Sequence, residues 1–198
     1  NAHIQPLFKK LESKITIETI GLSVLKKPVY GIKMGSGTKK ILMWSQMHGN
    51  ESTTTKALFD LLNTLSDDLE STQAILSTCS LYIIPILNPD GAEAYTRVNA
   101  NNMDLNRDAQ ALSQPESKIL RQVFNEFKPD LIFVDRQRHF GLSAIKSKIP
   151  LIVHLRGDFW KEMKMAEETL YKSFPKKMAL KKWYEMGNEC FKNSQIIL

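Results

Sequence analysis

A short apolar run, Ile41-Leu42-Met43-Trp44, breaks off into the polar stretch Ser45-Gln46-Met47-His48-Gly49-Asn50-Glu51-Ser52, and a helical pattern opens directly after it. Strand, polar loop and helix in that order is the repeating unit of an open α/β sheet. Ala57, Leu58, Leu61, Leu62 and Leu65 share one face of the helix, so it has a side to lay on a sheet. His48 and Glu51 then fall where a strand gives way to a helix, which is where ligand and catalytic groups collect in such sheets. A neutral imidazole and a carboxylate are both zinc donors, and a third protein ligand would leave one position open for water. Gly49 suits a tight turn between the two. The plainer reading leaves His48 as a solvated loop residue and has Glu51 charge the first helical turn. His-x-x-Glu alone does not decide between them.

Further strands and helices are legible on either side. Ile4, Leu7, Phe8 and Leu11 are spaced as on a helix, over residues 4–12. Ile15, Ile17 and Ile20 suggest a strand, Lys27-Pro28 breaks it, and Val29 to Met34 alternates as a second strand, leading through Gly35-Ser36-Gly37 into the run before His48. Short turns between these strands predict antiparallel pairing at one sheet edge. Leu81 to Leu87 reads as a central strand with Pro85 near its end. A long polar segment, Asn88 to Gln114, follows; in a compact domain such a loop is functional or disordered. Tyr95, Val98, Met103 and Leu105 can anchor it, which argues against disorder. Pro115-Glu116 starts a helix through Phe127 with Ile119, Leu120, Val123, Phe124 and Phe127 as its apolar stripe. Leu131 to Val134 reads as another buried strand, Arg136 to Gly141 as a basic loop, and Ile149 to Leu155 as strand-like. Helical patterns cover about 159–172 and 177–192, split by Pro175.

Composition limits the class. With 198 residues, 42% apolar and 24% charged, the chain is an ordinary globular protein able to bury a sizeable core. No apolar run approaches the roughly 18 residues of a membrane span. Asn1-Ala2-His3-Ile4 shows no signal peptide, so a soluble protein is expected. The first residue is not Met, which fits a processed or trimmed start. Cys79 and Cys190 make no disulfide framework, and two free thiols are expected. Charge is uneven. Residues 1–135 hold 14 Lys+Arg against 15 Asp+Glu, net −1, and residues 136–198 hold 13 against 6, net +7. Those lysines are scattered along helical patterns and read as a solvated face, so neither nucleic acid nor membrane is expected as a partner. No linker divides the chain, and a single domain over 1–198 is expected.

Within the long polar segment, Arg97, Asn106 and Arg107 stand out. Arginine captures a carboxylate in bidentate fashion, and an asparagine amide adds a donor. Asp104 and Asp108 offer a competing account in which they only pair with these arginines.

Four blocks now run in order: His48-Gly-Asn-Glu51, Asn88-Pro-Asp-Gly91, Arg97-x-Asn99-Ala100 and Asp104-Leu-Asn-Arg-Asp108. Together they resemble the zinc metallocarboxypeptidases of the funnelin type over about residues 14–135. Desuccinylases and aspartoacylases share the first and last blocks; the Asn88 block and Arg97 look more like the peptidases. The resemblance implies an α/β fold with a mixed, largely parallel sheet sandwiched between helices. It implies one zinc ion held by His48 and Glu51, with Arg97 stabilising the oxyanion and Asn106 and Arg107 gripping the substrate's C-terminal carboxylate. The substrate would be a peptide, or an acyl-amino acid, with a free carboxylate.

Two features depart from the family. Its third zinc ligand is a histidine just past the strand corresponding to Leu131–Val134; an ungapped reading puts Arg136 near that place. His139 is the nearest candidate, with His154 the other. The family's general base is a glutamate closing a late apolar strand, and no such run exists after Gly141. Glu162, Glu167, Glu168, Glu185 and Glu189 lie in Lys-rich helical patterns and read as surface charges. The last third is thus truncated, incompletely represented or diverged. Three functions follow: a zinc carboxypeptidase, an N-acyl amino acid amidohydrolase, or a silent relative that binds a peptide terminus. Side-chain preference, compartment and oligomeric state leave no readable mark.

Overall fold

The computed structural model describes residues 9–135, 139–155 and 157–197, with the side chains of Val134, Asp135, His139, Phe140 and His154 outside that description. They form two compact units, divided between Asp130 and Leu131. The mixed α/β class is the one expected.

The first unit is built on a four-stranded sheet. β1 (Ile15–Leu22) and β2 (Pro28–Met34) form the antiparallel pair that the short turn predicts. β2 continues antiparallel onto β4 (Cys79–Ile84), and β4 runs parallel to β3 (Lys39–Trp44), giving the order β1-β2-β4-β3. A parallel pair needs a crossover. Here it is α1 (Thr53–Leu65) followed by α2 (Glu70–Thr78). The helical reading of α1 holds to its last residue, whereas α2 carries few large apolar side chains and escaped the sequence reading.

Both faces of this sheet are covered. Leu58, Leu62 and Leu65 of α1 pack with Ile32 and Met34 of β2 and Leu81 and Ile83 of β4, and Leu11 closes the cluster. Of the expected 4–12 helix the described residues are 9–12, of which Lys9–Leu11 are helical and Glu12 is a turn. The alternate residue Tyr82 faces the other way, its ring 5.4 Å from that of Phe127 on α4 (Pro115–Phe127). Between β4 and α4 come α3 (Pro89–Ala94) and a single 3₁₀ turn, Leu105–Arg107. Pro115 opens α4, where its missing N–H costs nothing.

The second unit holds a parallel sheet in the order β5 (Ile132–Asp135), β6 (Leu151–His154), β7 (Ile196–Ile197). α5 (His139–Ser147) links β5 to β6, so the stretch read as a basic loop turns helical at His139. α6 (Phe159–Thr169) and α7 (Phe174–Lys192) lead to β7. Pro175 sits in the first turn of α7 and starts the helix earlier than expected. Phe159 is buried, with its ring 5.9 Å from Tyr184 and 5.2 Å from Phe191. Cys79 and Cys190 are both free thiols, as expected; burial pushes that of Cys190 up to about 11.

Candidate active site

The parallel β3–β4 pair extends past its formal ends. The Ser45 N–H donates to Ile84 O, the Leu87 N–H to Ser45 O and the Asn88 N–H to Gln46 O. This lays the His48 loop beside the Asn88 loop at the C-terminal ends of two parallel strands. Thr55 ties the first loop back, donating to Gln46 Oε1 at 2.8 Å while Gln46 Nε2 donates to Gly49 O at 2.7 Å.

The two loops touch backbone to backbone. A Cβ on Gly49 would lie 1.9 Å from the Gly91 carbonyl carbon, so glycine is required there for room. Gly49 also lies in the tight turn read from the sequence, closed by the Glu51 N–H donating to His48 O at 3.0 Å, and since φ at Gly49 is not positive it is the close approach that demands glycine. Around this contact the Asn50 N–H donates to Thr96 O and Asn88 Nδ2 to Met47 O. Asn88 also caps α3 through Gly91 N–H at 2.9 Å. Asp90 is buried and works outward, accepting from Ser23 Oγ at 2.9 Å and Leu25 N–H at 3.0 Å in the β1–β2 turn.

Four side chains close into a ring at the loop mouths. His48 Nδ1 is 3.0 Å from Glu51 Oε2, and His48 Nε2 is 3.1 Å from Asp104 Oδ1. Arg97 reaches both carboxylates, with Nη1 3.0 Å from Glu51 Oε1 and Nε 3.2 Å from Asp104 Oδ2. His48 is the enclosed corner at 12% side-chain exposure, and Glu51 the open one at 59%. Glu51 precedes α1 and points into the ring, so the reading that it merely charges the helix is set aside.

Asp104 is the residue that sequence reasoning undervalued. It pairs with Arg97, as that competing account allowed, but it also meets His48 and accepts from Asn106 N–H at 3.0 Å. Burial alone would raise its pKa; the Asn106 N–H, Arg97 and His48 outweigh this and hold it below the usual carboxylate value. The signal was there in principle, because a histidine poised to ligate commonly gives its second nitrogen to a carboxylate. Asp108 behaves differently again. It accepts from Ser113 N–H, Ser113 Oγ and Gln114 N–H, closing the loop rather than pairing with an arginine.

Asn106 and Arg107 lie in the 3₁₀ turn directly after Asp104, and Arg107 is exposed, paired with no acid among the described residues. His48 Nδ1 and Glu51 Oε2 are close enough to share one cation at the roughly 2.0–2.2 Å of zinc bonds. Among the described residues no group of three His, Cys, Asp or Glu side chains forms a metal site. The candidate third ligands stand at the first residue of α5 (His139) and the last of β6 (His154), and both side chains, like all of Arg136, lie outside the described residues. Glu162, Glu167, Glu168, Glu185 and Glu189 are exposed on α6 and α7, as surface charges should be.

A mixed α/β fold thus gathers a His–Glu pair, an arginine and an Asn-Arg turn at its strand ends. The zinc carboxypeptidase family model matches residues 1–135, and the chain belongs to that family. Carboxypeptidase SOL1 of Arabidopsis thaliana is 35% identical over 111 residues, 51% of this chain and 23% of that protein. Carboxypeptidase 2 of Trichophyton rubrum is 28% identical over 96 residues, 48% of this chain and 18% of that protein. In each case the matched stretch spans less than a quarter of the relative. Among solved structures, a putative carboxypeptidase A from Shewanella denitrificans superposes with a TM-score of 0.60 at 23% identity, covering 73% of this chain and 46% of that one. A metallo-carboxypeptidase from Pseudomonas aeruginosa, in complex with (2-guanidinoethylmercapto)succinic acid, gives 0.56 at 23% identity, covering 70% and 40%. These likenesses establish the fold.

Proposed function

We propose that residues 1–198 belong to one catalytic domain of a zinc-dependent metallocarboxypeptidase that removes the C-terminal residue of a peptide. The observation that carries this reading is the ring itself: His48 and Glu51 present adjacent donors while Arg97 lies against both carboxylates of the ring. A proton on His48 Nε2, directed at Asp104, leaves Nδ1 free to ligate. Zinc, when bound, supplies Lewis acidity and a water of lowered pKa. Arg97 carries a permanent positive charge to the place where the scissile carbonyl oxygen gains its negative one. Asn106 and Arg107 hold the terminal carboxylate, which makes the enzyme an exopeptidase, because an internal peptide bond offers no carboxylate there. His139 is proposed to complete the metal site.

One observation favours a second reading. The late glutamates are all exposed on α6 and α7, leaving no candidate base among them. A positioned base contributes about 10²–10⁴-fold. A relative lacking it would bind peptide termini in the same clamp with little turnover. Zinc-loaded protein incubated with free-acid and C-terminally amidated peptides separates the cases. Hydrolysis of the free acid alone supports the carboxypeptidase, selective binding without hydrolysis supports the silent relative, and equal treatment of both peptides removes the clamp. Cleavage of acyl-amino acids in preference to peptides would move the chain to the amidohydrolases.

A further inference from the structure

We propose that Glu116 and Asn99 form a positioning pair, a buried carboxylate–amide lock that sets the path of the 97–108 segment and thereby aims Arg97 and Arg107. The proposal rests on the reading of those two arginines as the groups that meet substrate.

Glu116 is fully buried, in the first turn of α4. A carboxylate is kept in such a place only if its oxygens are satisfied. One accepts from Val24 N–H at 3.2 Å, in the β1–β2 turn; the other accepts from Asn99 Nδ2 at 3.1 Å. Asn99 is 3% exposed, and its amide has no spare capacity. Nδ2 also donates to Gln114 Oε1 at 2.9 Å, while Oδ1 accepts from Asn101 N–H at 3.1 Å and Met103 N–H at 3.0 Å. The turn between Arg97 and Asp104 is therefore folded around the Asn99 side chain. The same helix start holds the far end of the segment, since Gln114 N–H donates to Asp108 Oδ2 at 2.9 Å. Residues on both sides of Asp104 are thus referred to one rigid point. α4 itself does not depend on the lock, because Ile119, Leu120 and Val123 bury its apolar stripe independently. Losing the lock would let the segment drift while the fold stays.

The polarity of the pair allows a near-isosteric test. In Glu116→Gln an amide that keeps its acceptor on Val24 N–H turns a donor against the Asn99 donor. In Asn99→Asp two carboxylates face each other. Combined, the two substitutions restore the bond between positions 99 and 116 with its direction reversed, while the donor from position 99 to Gln114 Oε1 stays lost. The readout is the Arg97 Nε–H signal in ¹⁵N spectra of the full chain, identified by its loss in Arg97→Lys; its bond to Asp104 slows exchange with solvent. Each single variant should speed that exchange about tenfold while circular dichroism stays that of the parent. The double variant should exchange more slowly than either single, short of the parent by the lost Asn99 donor to Gln114. Asn101→Ala, which removes only an exposed residue's donor to Gln114, 2.9 Å away, and leaves the Glu116–Asn99 bond in place, is the control and should keep the parent exchange rate. Single variants that melt earlier yet keep the parent exchange rate would make the pair merely structural and overturn the proposal, as would a double variant no slower than the singles. Failure of the function reading is separate: the parent would then bind free and amidated peptides alike, whatever the Arg97 signal does.

Discussion

Gly49→Ala tests whether the His48 and Asn88 loops are held by direct backbone contact. The added Cβ would sit 1.9 Å from the Gly91 carbonyl carbon, 2.2 Å from its oxygen and 2.3 Å from Ala92 N. Ordinary contact begins at 3.4 Å, so the loops must part by 3.4 − 1.9 = 1.5 Å, and no side chain can rotate out of the way. Three hydrogen bonds span or brace this contact: Asn50 N–H to Thr96 O at 3.1 Å, Asn88 Nδ2 to Met47 O at 3.2 Å and Gln46 Nε2 to Gly49 O at 2.7 Å. A separation of that size breaks the first two. At about 1 kcal/mol each, with overpacking strain of about 1–3 kcal/mol, the expected loss is about 3 kcal/mol or more. Urea unfolding monitored by circular dichroism measures it as a lower midpoint at unchanged slope. Gly157→Ala is the control, because its Cβ would meet only the mobile end of Glu162, at 2.8 Å. A loss below about 0.5 kcal/mol, the range of surface substitutions, would refute the close-contact argument.

Other consequences follow from the same geometry. His48→Ala or Glu51→Ala should abolish stoichiometric zinc binding by elemental analysis, since too few ligands remain; full occupancy in either would end the metal-site reading. Asp104→Asn should weaken zinc binding about 10–100-fold, the usual effect of removing a carboxylate behind a ligating histidine, read by competition with a chelator. Arg107→Ala should cost roughly 2–5 kcal/mol in binding free-acid peptides and little for amidated ones, by calorimetry. Asp108 is held below the ordinary carboxylate value: burial raises it, but Ser113, Gln114 and Ser117 donors prevail. A depressed pKa stabilises the fold above the unfolded value, so this contribution is present at neutral pH and is lost as pH falls through the lower folded value. Asp108→Asn should therefore flatten the acid limb of a stability–pH profile, and an unchanged limb would count against the assignment.

Much of this fold was legible because its signals are local. Apolar runs placed β3 and β5, the 3.6-residue stripes placed α1 and α4, and the four polar blocks placed the site. What escaped depended on partners distant in sequence. α2 presents only Thr72 as a fully buried side chain, so periodicity had little to register. The Leu81–Leu87 run is strand only to Ile84, because beyond it the chain bends to follow Ser45 and Gln46. Asp104 reads in sequence as a partner for arginine, and only the fold brings its other oxygen to His48.

The four blocks do two kinds of work, and the split explains how a few short motifs can be so informative. His48, Glu51, Arg97, Asn106 and Arg107 carry side chains that could touch a metal or a substrate. Gly49, Asn88, Asp90, Gly91, Asn99 and Asp108 face inward, where they cap α3, pin the β1–β2 turn, fold the 99–103 turn and let two loops meet at bare backbone. A ring of four polar side chains at a loop mouth, with Glu51 more than half exposed, gains little from its own ion pairs in water. Its geometry must come from underneath. The inward-facing residues supply it, fixing where His48, Arg97 and Asp104 leave the backbone. A chain that kept only the chemical residues would have the right groups on loops free to separate, and misplacement of 1 Å is enough to cost such a site about 10²-fold.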